Sequence, residues 1–320
     1  MKKPVLACLP MLSFLVTTPV LSDDNPAQPS LVDKWDAWVA IDGLLTSDED
    51  ALSVDSMLPV YEEDDGLVFI KLDASKGKGN YKSYSVGSGY RHMLDDEQII
   101  GIYGFLDYQQ SENGNGFHQF NLGAEYRTVD WDFGANLYLP VGGRKKKAGS
   151  HTVTGADGRT YVEHQYERIL QGADVEVGYR LPFFTENEEQ QLRLYTGVYH
   201  FKGEQTKSFT GQKLRLEYHM ENVINQLPGS QLTLGSGAKH DSVTGNEGFV
   251  FARFTLPFDF MDSGAKRNRL SPFAKRMTER VRRQPGIVAI AEPEYTLKDD
   301  TSEPTFPPEP PELPELDGPG

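Results

Sequence analysis

FNLGAEYRTVDWDFGANLYLPVGG, residues Phe120 to Gly143, decides the fold. Phe120, Leu122, Ala124 and Tyr126 alternate with polar side chains; after Thr128-Val-Asp130, Trp131, Phe133, Ala135, Leu137 and Leu139 alternate with Asp132, Gly134, Asn136 and Tyr138. A strict period of two is the signature of a strand, and two such runs joined by a few residues make a hairpin. The apolar face of this hairpin must meet either a protein core or hydrocarbon.

The same pattern recurs on both sides. The clearest examples are Ala173–Leu181 and Leu214–Met220; others lie near 35–42, 52–61, 67–74, 81–91, 98–108, 117–127, 191–201, 231–239 and 248–256. That makes about twelve segments. Gln98 to Tyr108 is the least regular, because Ile99, Tyr103 and Phe105 break the period. Most segments are longer than the five or six residues usual for soluble strands and suit a tilted span of a bilayer. The joints between them alternate between short ones such as Thr128-Val-Asp130 and longer ones such as Val141 to Tyr166, although the joint near 221–230 breaks that parity. Short turns at one end and longer loops at the other characterise outer-membrane barrels.

Composition agrees with a barrel. Beyond the N-terminus no window reaches the roughly 18 continuous apolar residues of a spanning helix, yet a barrel wall needs only every second residue to be apolar. A mean hydropathy of -0.51 with 17 Phe and 15 Tyr fits that arrangement. The expected class is therefore all-β, a transmembrane antiparallel barrel of about twelve strands with a short C-terminal helix and a disordered tail. Facing lipid are Phe120, Leu122, Trp131, Phe133, Leu137, Val175, Val177, Tyr179, Leu214 and Leu216. Facing the lumen are Glu125, Arg127, Asp132, Asn136, Asp174, Glu176, Arg180, Arg215, Glu217 and Arg253. A soluble core cannot bury such a row of both signs, whereas a wet lumen can. The competing soluble reading makes the same row a solvent face.

The chain opens with Lys2 and Lys3, an apolar run from Val5 to Val16 and small residues before Asp23, as in a secretory signal peptide spanning 1–22. Cys8 is the one cysteine, so no disulfide or thiolate metal site is expected after cleavage; a lipoprotein cut at Cys8 would fall inside the apolar run. Residues 23–34 form a short N-terminal periplasmic segment, 35–258 the barrel, 259–290 a linker with a basic helix, and 291–320 an acidic Pro-rich tail. Net charge is -15, and about half of it lies in that tail.

Ordered blocks carry a resemblance: Leu58-Pro-Val-Tyr61, Val86-Gly-Ser-Gly-Tyr-Arg-His92, Ile102-Tyr-Gly-Phe-Leu-Asp-Tyr108, Leu122-Gly-Ala-Glu-Tyr126, Ala135-Asn-Leu-Tyr-Leu-Pro140, Tyr166-Glu-Arg168 and Gly172 through Pro182. Together they resemble the β-domain of inverse autotransporters, the intimin and invasin group. The resemblance spans about Trp35 to Phe258 and implies a twelve-stranded outer-membrane barrel with a periplasmic N-terminus, whose chain returns through the pore to display a passenger outside. It implies barrel-assembly machinery and periplasmic chaperones as partners. No recognisable peptidoglycan-binding module or immunoglobulin-like passenger accompanies the blocks.

Three further pieces draw readings. Ser271 to Arg283 reads as a helix with Ser271 as N-cap and Pro272 at its first position. Phe273, Met277 and Val281 repeat every four residues, with Arg276 and Arg280 among the bases around them, which suits a lumen plug, a short periplasmic helix on the membrane surface, or a frayed linker. Arg144, Lys145, Lys146 and Lys147 form a cationic run in the longest loop, a patch for lipopolysaccharide or a host polyanion, or a solvated loop. The tail from Glu303 reads as disordered and locally extended, with a short partner motif as the alternative. No cofactor, metal or nucleic acid is indicated: the histidines lack metal spacing, and Ser88 and Ser236 lack a nucleophile elbow. Asp107 with His92 and His219 with Glu217 are the pairs from which a barrel hydrolase could be built. The expected function is a membrane anchor and export scaffold for the C-terminal segment; the alternative is a porin-like channel or a surface binder acting through its loops, of unknown ligand or receptor.

Overall fold

The computed structural model describes residues 34–46, 50–184, 189–203, 206–258, 270–284 and 286–298. The signal peptide and the tail beyond Lys298 lie outside them. In chain order the strands are β1 (Trp38–Thr46), β2 (Asp50–Glu62), β3 (Gly66–Lys76), β4 (Lys82–Asp95), β5 (Gln98–Gln110), β6 (Gly116–Thr128) and β7 (Trp131–Val141). Next come β8 (Lys145–Thr154), β9 (Thr160–Ile169), β10 (Gln171–Arg180), β11 (Gln190–Lys202), β12 (Phe209–Glu221), β13 (Gln231–Asp241), β14 (Gly245–Pro257) and β15 (Ala289–Leu297).

Twelve of them close an antiparallel barrel in the order β1-β14-β13-β12-β11-β10-β7-β6-β5-β4-β3-β2. Closure comes from β1, which pairs with β2 on one side and with β14 on the other, Trp38 opposite Pro257 through Thr46 opposite Phe249. A closed barrel leaves no unpaired edge, which matters where no water is available to satisfy backbone groups. Leu122, Trp131, Phe133, Leu137, Val175, Leu214 and Leu216 are exposed on the outer face. Phe120, Val177 and Tyr179 lie on the same face, half-buried among their neighbours.

Two elements differ from the sequence expectation. The joint from Val141 to Tyr166 is not plain loop: β8 and β9 form a hairpin that stands beyond the barrel end and joins β15 in a three-stranded sheet, β15-β9-β8. Both faces of Lys145–Thr154 are polar, so no apolar period marked it as a strand. The basic helix is confined to a five-residue 3-10 helix, Ala274–Thr278. The Ser271 hydroxyl accepts from the Ala274 N–H at 3.1 Å, and past Glu279 the chain is extended.

The irregular β5 has a plain cause. Ile99, Tyr103 and Phe105 point inward with Met57, Leu67 and Phe69, and together they bury Phe273, Ala274, Met277 and Val281. These lumen positions are apolar because the chain's own C-terminal segment packs on them. The Phe105 ring lies so close to the β4 backbone that a Cβ on Gly87 would stand 2.1 Å from it. Only glycine fits there.

Candidate functional site: the occupied lumen

Residues 270–298 run from the barrel end that carries both barrel termini to the opposite end. At the first end, Ser271, Pro272 and Phe273 line a cavity of about 430 Å³ with Asp96, Val129, Arg180 and Gln191, which places Arg180 at the mouth. Met277 is fully buried, and Trp38 donates its indole N–H to the Thr278 carbonyl at 2.6 Å.

Above the 3-10 helix, wall side chains take the carbonyls that a helix would use internally. Arg91 donates to the Met277 and Glu279 carbonyls, each at 2.6 Å; Arg127 donates to the Arg280 carbonyl at 2.9 Å. Tyr103 and Asn136 donate to the Arg282 carbonyl at 3.2 and 3.1 Å. With those acceptors occupied, the helix does not propagate.

The segment's charges find opposite charges on the wall. Arg276 pairs with Asp132, and Arg127 pairs with Glu279 at 2.7 Å. Arg280 lies 3.1 Å from Asp55 and 3.7 Å from Asp42; Arg282 lies 3.4 Å from Glu217, with its guanidinium 4.1 Å from the Tyr195 ring centre. Arg283 grips Asp107 with both terminal nitrogens, at 2.9 and 3.0 Å, and stacks on Phe105. A bidentate fork of this kind fixes position as well as charge.

The remaining inward residues tie the wall strands to one another. Glu125 bridges Arg91 and Arg127, Asp174 meets Lys213 at 3.1 Å, Glu176 meets Arg215 at 2.8 Å, and Arg253 meets Asp42 at 2.7 Å. Around Tyr103, Glu125, Asp132, Glu176 and Arg282 only about 10 Å³ is left, room for about one water.

Toward the far end the segment takes on strand-like bonding before it leaves the lumen. The Gln109 side chain accepts from the Ile287 N–H at 2.6 Å and donates to its carbonyl at 3.1 Å, as a neighbouring strand would. Gly286 has φ +73°, and a Cβ there would meet Gln109 Oε1 at 2.7 Å. From Ala289, β15 pairs with β9 outside the barrel, Ala289 opposite Ile169 through Leu297 opposite Tyr161.

The cationic run serves this outer sheet. Lys145 pairs with Glu294 and lies over the Tyr166 ring, while Lys146 donates to the Gly116 carbonyl. Arg168 adds pairs to Glu292 at 3.2 Å and to Glu294. Arg144 bonds the Ile169 N–H through its carbonyl, and the Lys147 side chain is exposed. At the hairpin tip, hydrogen bonds from the Tyr161 hydroxyl and the Arg159 N–H hold Asp157 below the usual carboxylate range.

Neither imagined hydrolase pair is assembled as one. Asp107 points inward onto Arg283, whereas His92 lies beside Tyr90 on the outer face. His219 is 3.0 Å from Glu217, a carboxylate also engaged by Arg215 and Arg282. Among the described residues no group of His, Cys, Asp and Glu could hold a metal.

A closed twelve-stranded barrel whose lumen is filled by the chain leaving its last strand defines a class of membrane protein. The family model described as inverse autotransporter, beta-domain matches residues 33–257, and the chain belongs to that family. Its barrel is therefore one of the bacterial outer membrane. A search of curated proteins finds no match. Among solved structures, a barrel from a study of in-meso crystallization of membrane proteins is 18% identical, covers 80% of this chain and 100% of its own, and superimposes with a TM-score of 0.55. It bears on the fold alone. An outer membrane channel of Pseudomonas putida is 10% identical, covering 74% of this chain and 100% of its own, with a TM-score of 0.48. The β-domain of the Bordetella autotransporter BrkA is 10% identical, covering 71% and 100%, with a TM-score of 0.39.

Proposed function

We propose that the barrel anchors its own C-terminal segment across the outer membrane, with residues 270–288 seated in the lumen and the chain beyond Leu297 on the outer side. The observation that carries this reading is the path of that segment, from the end with both barrel termini to β9 at the other. In it, Phe273, Met277 and Val281 seat the segment on the apolar wall of β2–β5, and Arg276 and Arg280 hold it to Asp132, Asp55 and Asp42. The outward side chains from Phe120 to Leu216 contact acyl chains, and those from Glu125 to Arg253 line the lumen. Lys145 and Arg168 answer acids of β15, which leaves Lys147 as the cation of the run most open to lipopolysaccharide. Residues 1–22 direct secretion, and chaperones and the barrel-assembly machinery deliver the chain.

Single cysteines test the orientation. Thr296→Cys, on β15, is expected to react with a membrane-impermeant maleimide on intact cells, and Asp130→Cys, in the β6–β7 turn, only after the outer membrane is opened. The reverse pattern, which a porin with a periplasmic tail would give, overturns the reading.

A further inference from the structure

The lumen is filled unevenly. Inward residues of β5–β7 are dry: Tyr103, Asn121, Arg127 and Tyr138 are at most 4% exposed. Across the barrel, Glu217, Thr233 and Asp241 are buried, but each level of the register on β12–β14 between Lys239 and Thr255 keeps at least one inward residue half-buried. Lys239 faces Glu247 nearest the outer end, then come Arg215 and Phe249, then Phe251, then His219 and Arg253, and last Thr255 opposite Gln231; all are half-buried. Phe251 and Phe249 do not reach across the lumen. Each lies flat on the neighbouring strand, so close that a Cβ on Gly235 or Gly237 would stand 2.2 or 2.5 Å from the ring.

Charge along this open side is sorted by depth. The side chains of Arg280, Lys239 and Arg215 are 34%, 30% and 21% exposed, whereas their acidic neighbours Asp42, Glu176 and Glu217 are only 6% to 8% exposed. Glu247, 17% exposed beside Lys239, and Glu221, 24% exposed beside Lys275, are acids that share the open side, and Glu279 of the threaded segment is 33% exposed among Arg127, Arg276 and Arg282. The carboxylates of Asp42, Glu176 and Glu217 lie against the wall beneath the basic heads that cover them. Water in the gap therefore meets more basic than acidic side chains, with Arg280, Lys275, Lys239 and Arg215 against Glu279, Glu221 and Glu247.

We propose that a continuous water path runs between the threaded segment and β12–β14 and passes small inorganic anions. A narrow passage with low-dielectric walls and an excess of one sign of charge concentrates the opposite ion. The inference rests on the proposed seating of residues 270–288, because without that segment the lumen would be one wide pore.

The test uses the full chain in planar lipid bilayers under a KCl gradient. The expected result is a small steady current whose reversal potential lies on the chloride side, and which Lys239→Glu shifts toward the potassium side. Cysteine probes in a Cys8→Ser background add a second readout. Phe251→Cys is expected to react with a charged thiosulfonate and lose current, while Asn121→Cys stays unreactive. If neither cysteine reacts and no current flows, the path is overturned and the seated segment stands. If both react and the current is large, the seating itself fails. A current that Lys239→Glu leaves with the same reversal potential overturns the anion preference.

Discussion

The wall formed by β4–β7 and the wall formed by β12–β14 are built from the same alternating strands, yet one is dry and the other wet. On the first, wall donors occupy the segment's carbonyls, and Arg91, Glu125, Arg127 and Asp132 each have a buried partner of opposite charge. On the second, ion pairs such as Lys239–Glu247 run between adjacent strands and keep their basic heads in water. The difference shows which interactions locate the segment and which only hold the barrel's water in order. Attraction within a dry site is stronger, but so is the cost of leaving one member unpaired.

That contrast can be broken at several points. Asp132→Ala would take from Arg276 and from Arg193 of β11 their shared carboxylate, leaving Arg276 only Glu279 as an acid, and a loss of about 3–5 kcal/mol is expected for a broken buried pair. It would show as a lowered temperature of the heat-dependent gel mobility shift. Met277→Ala empties a fully buried seat at a cost of about 2–5 kcal/mol, and should make Arg280 and its neighbours accessible to added protease.

Gly286→Ala puts a side chain at φ +73° and against Gln109, so about 1–3 kcal/mol of strain should fall on the bend where the segment leaves the lumen. Faster amide exchange in β15 than in the barrel would report it. Lys239→Gln on the wet wall should move stability by about 1 kcal/mol or less, since water and salt screen it. If Lys239→Gln cost as much as Asp132→Ala, the distinction between the two walls would be lost.

Much of this architecture is written in local sequence. All twelve barrel strands carry some period-two signal, and the hairpin from Phe120 to Val141 shows it cleanly, because lipid and lumen impose opposite demands on successive residues. The exceptions record long-range contacts. Ile99, Tyr103 and Phe105 break the period because a segment more than 160 residues away packs on them, and no local window contains that partner.

Phe273, Met277 and Val281 do gather on one apolar surface, but their spacing suggested a helix that the wall's arginines interrupt. The β8–β9 hairpin was hidden for another reason. Apart from the Ile169 end of β9, which packs on Phe117 and Ile287, it carries no apolar face, so its strands owe their form chiefly to pairing with each other and with β15.

The antiparallel pairing of β15 with β9 has a mechanical consequence. β9 is held at its Ile169 end, where it passes into β10, while any load on the chain beyond Leu297 pulls from the opposite end, next to Tyr161. Tension therefore shears the two strands past one another, and their nine residue pairs bear it together instead of opening one after another. A tug from outside is resisted at the barrel's rim before it reaches the arginines within.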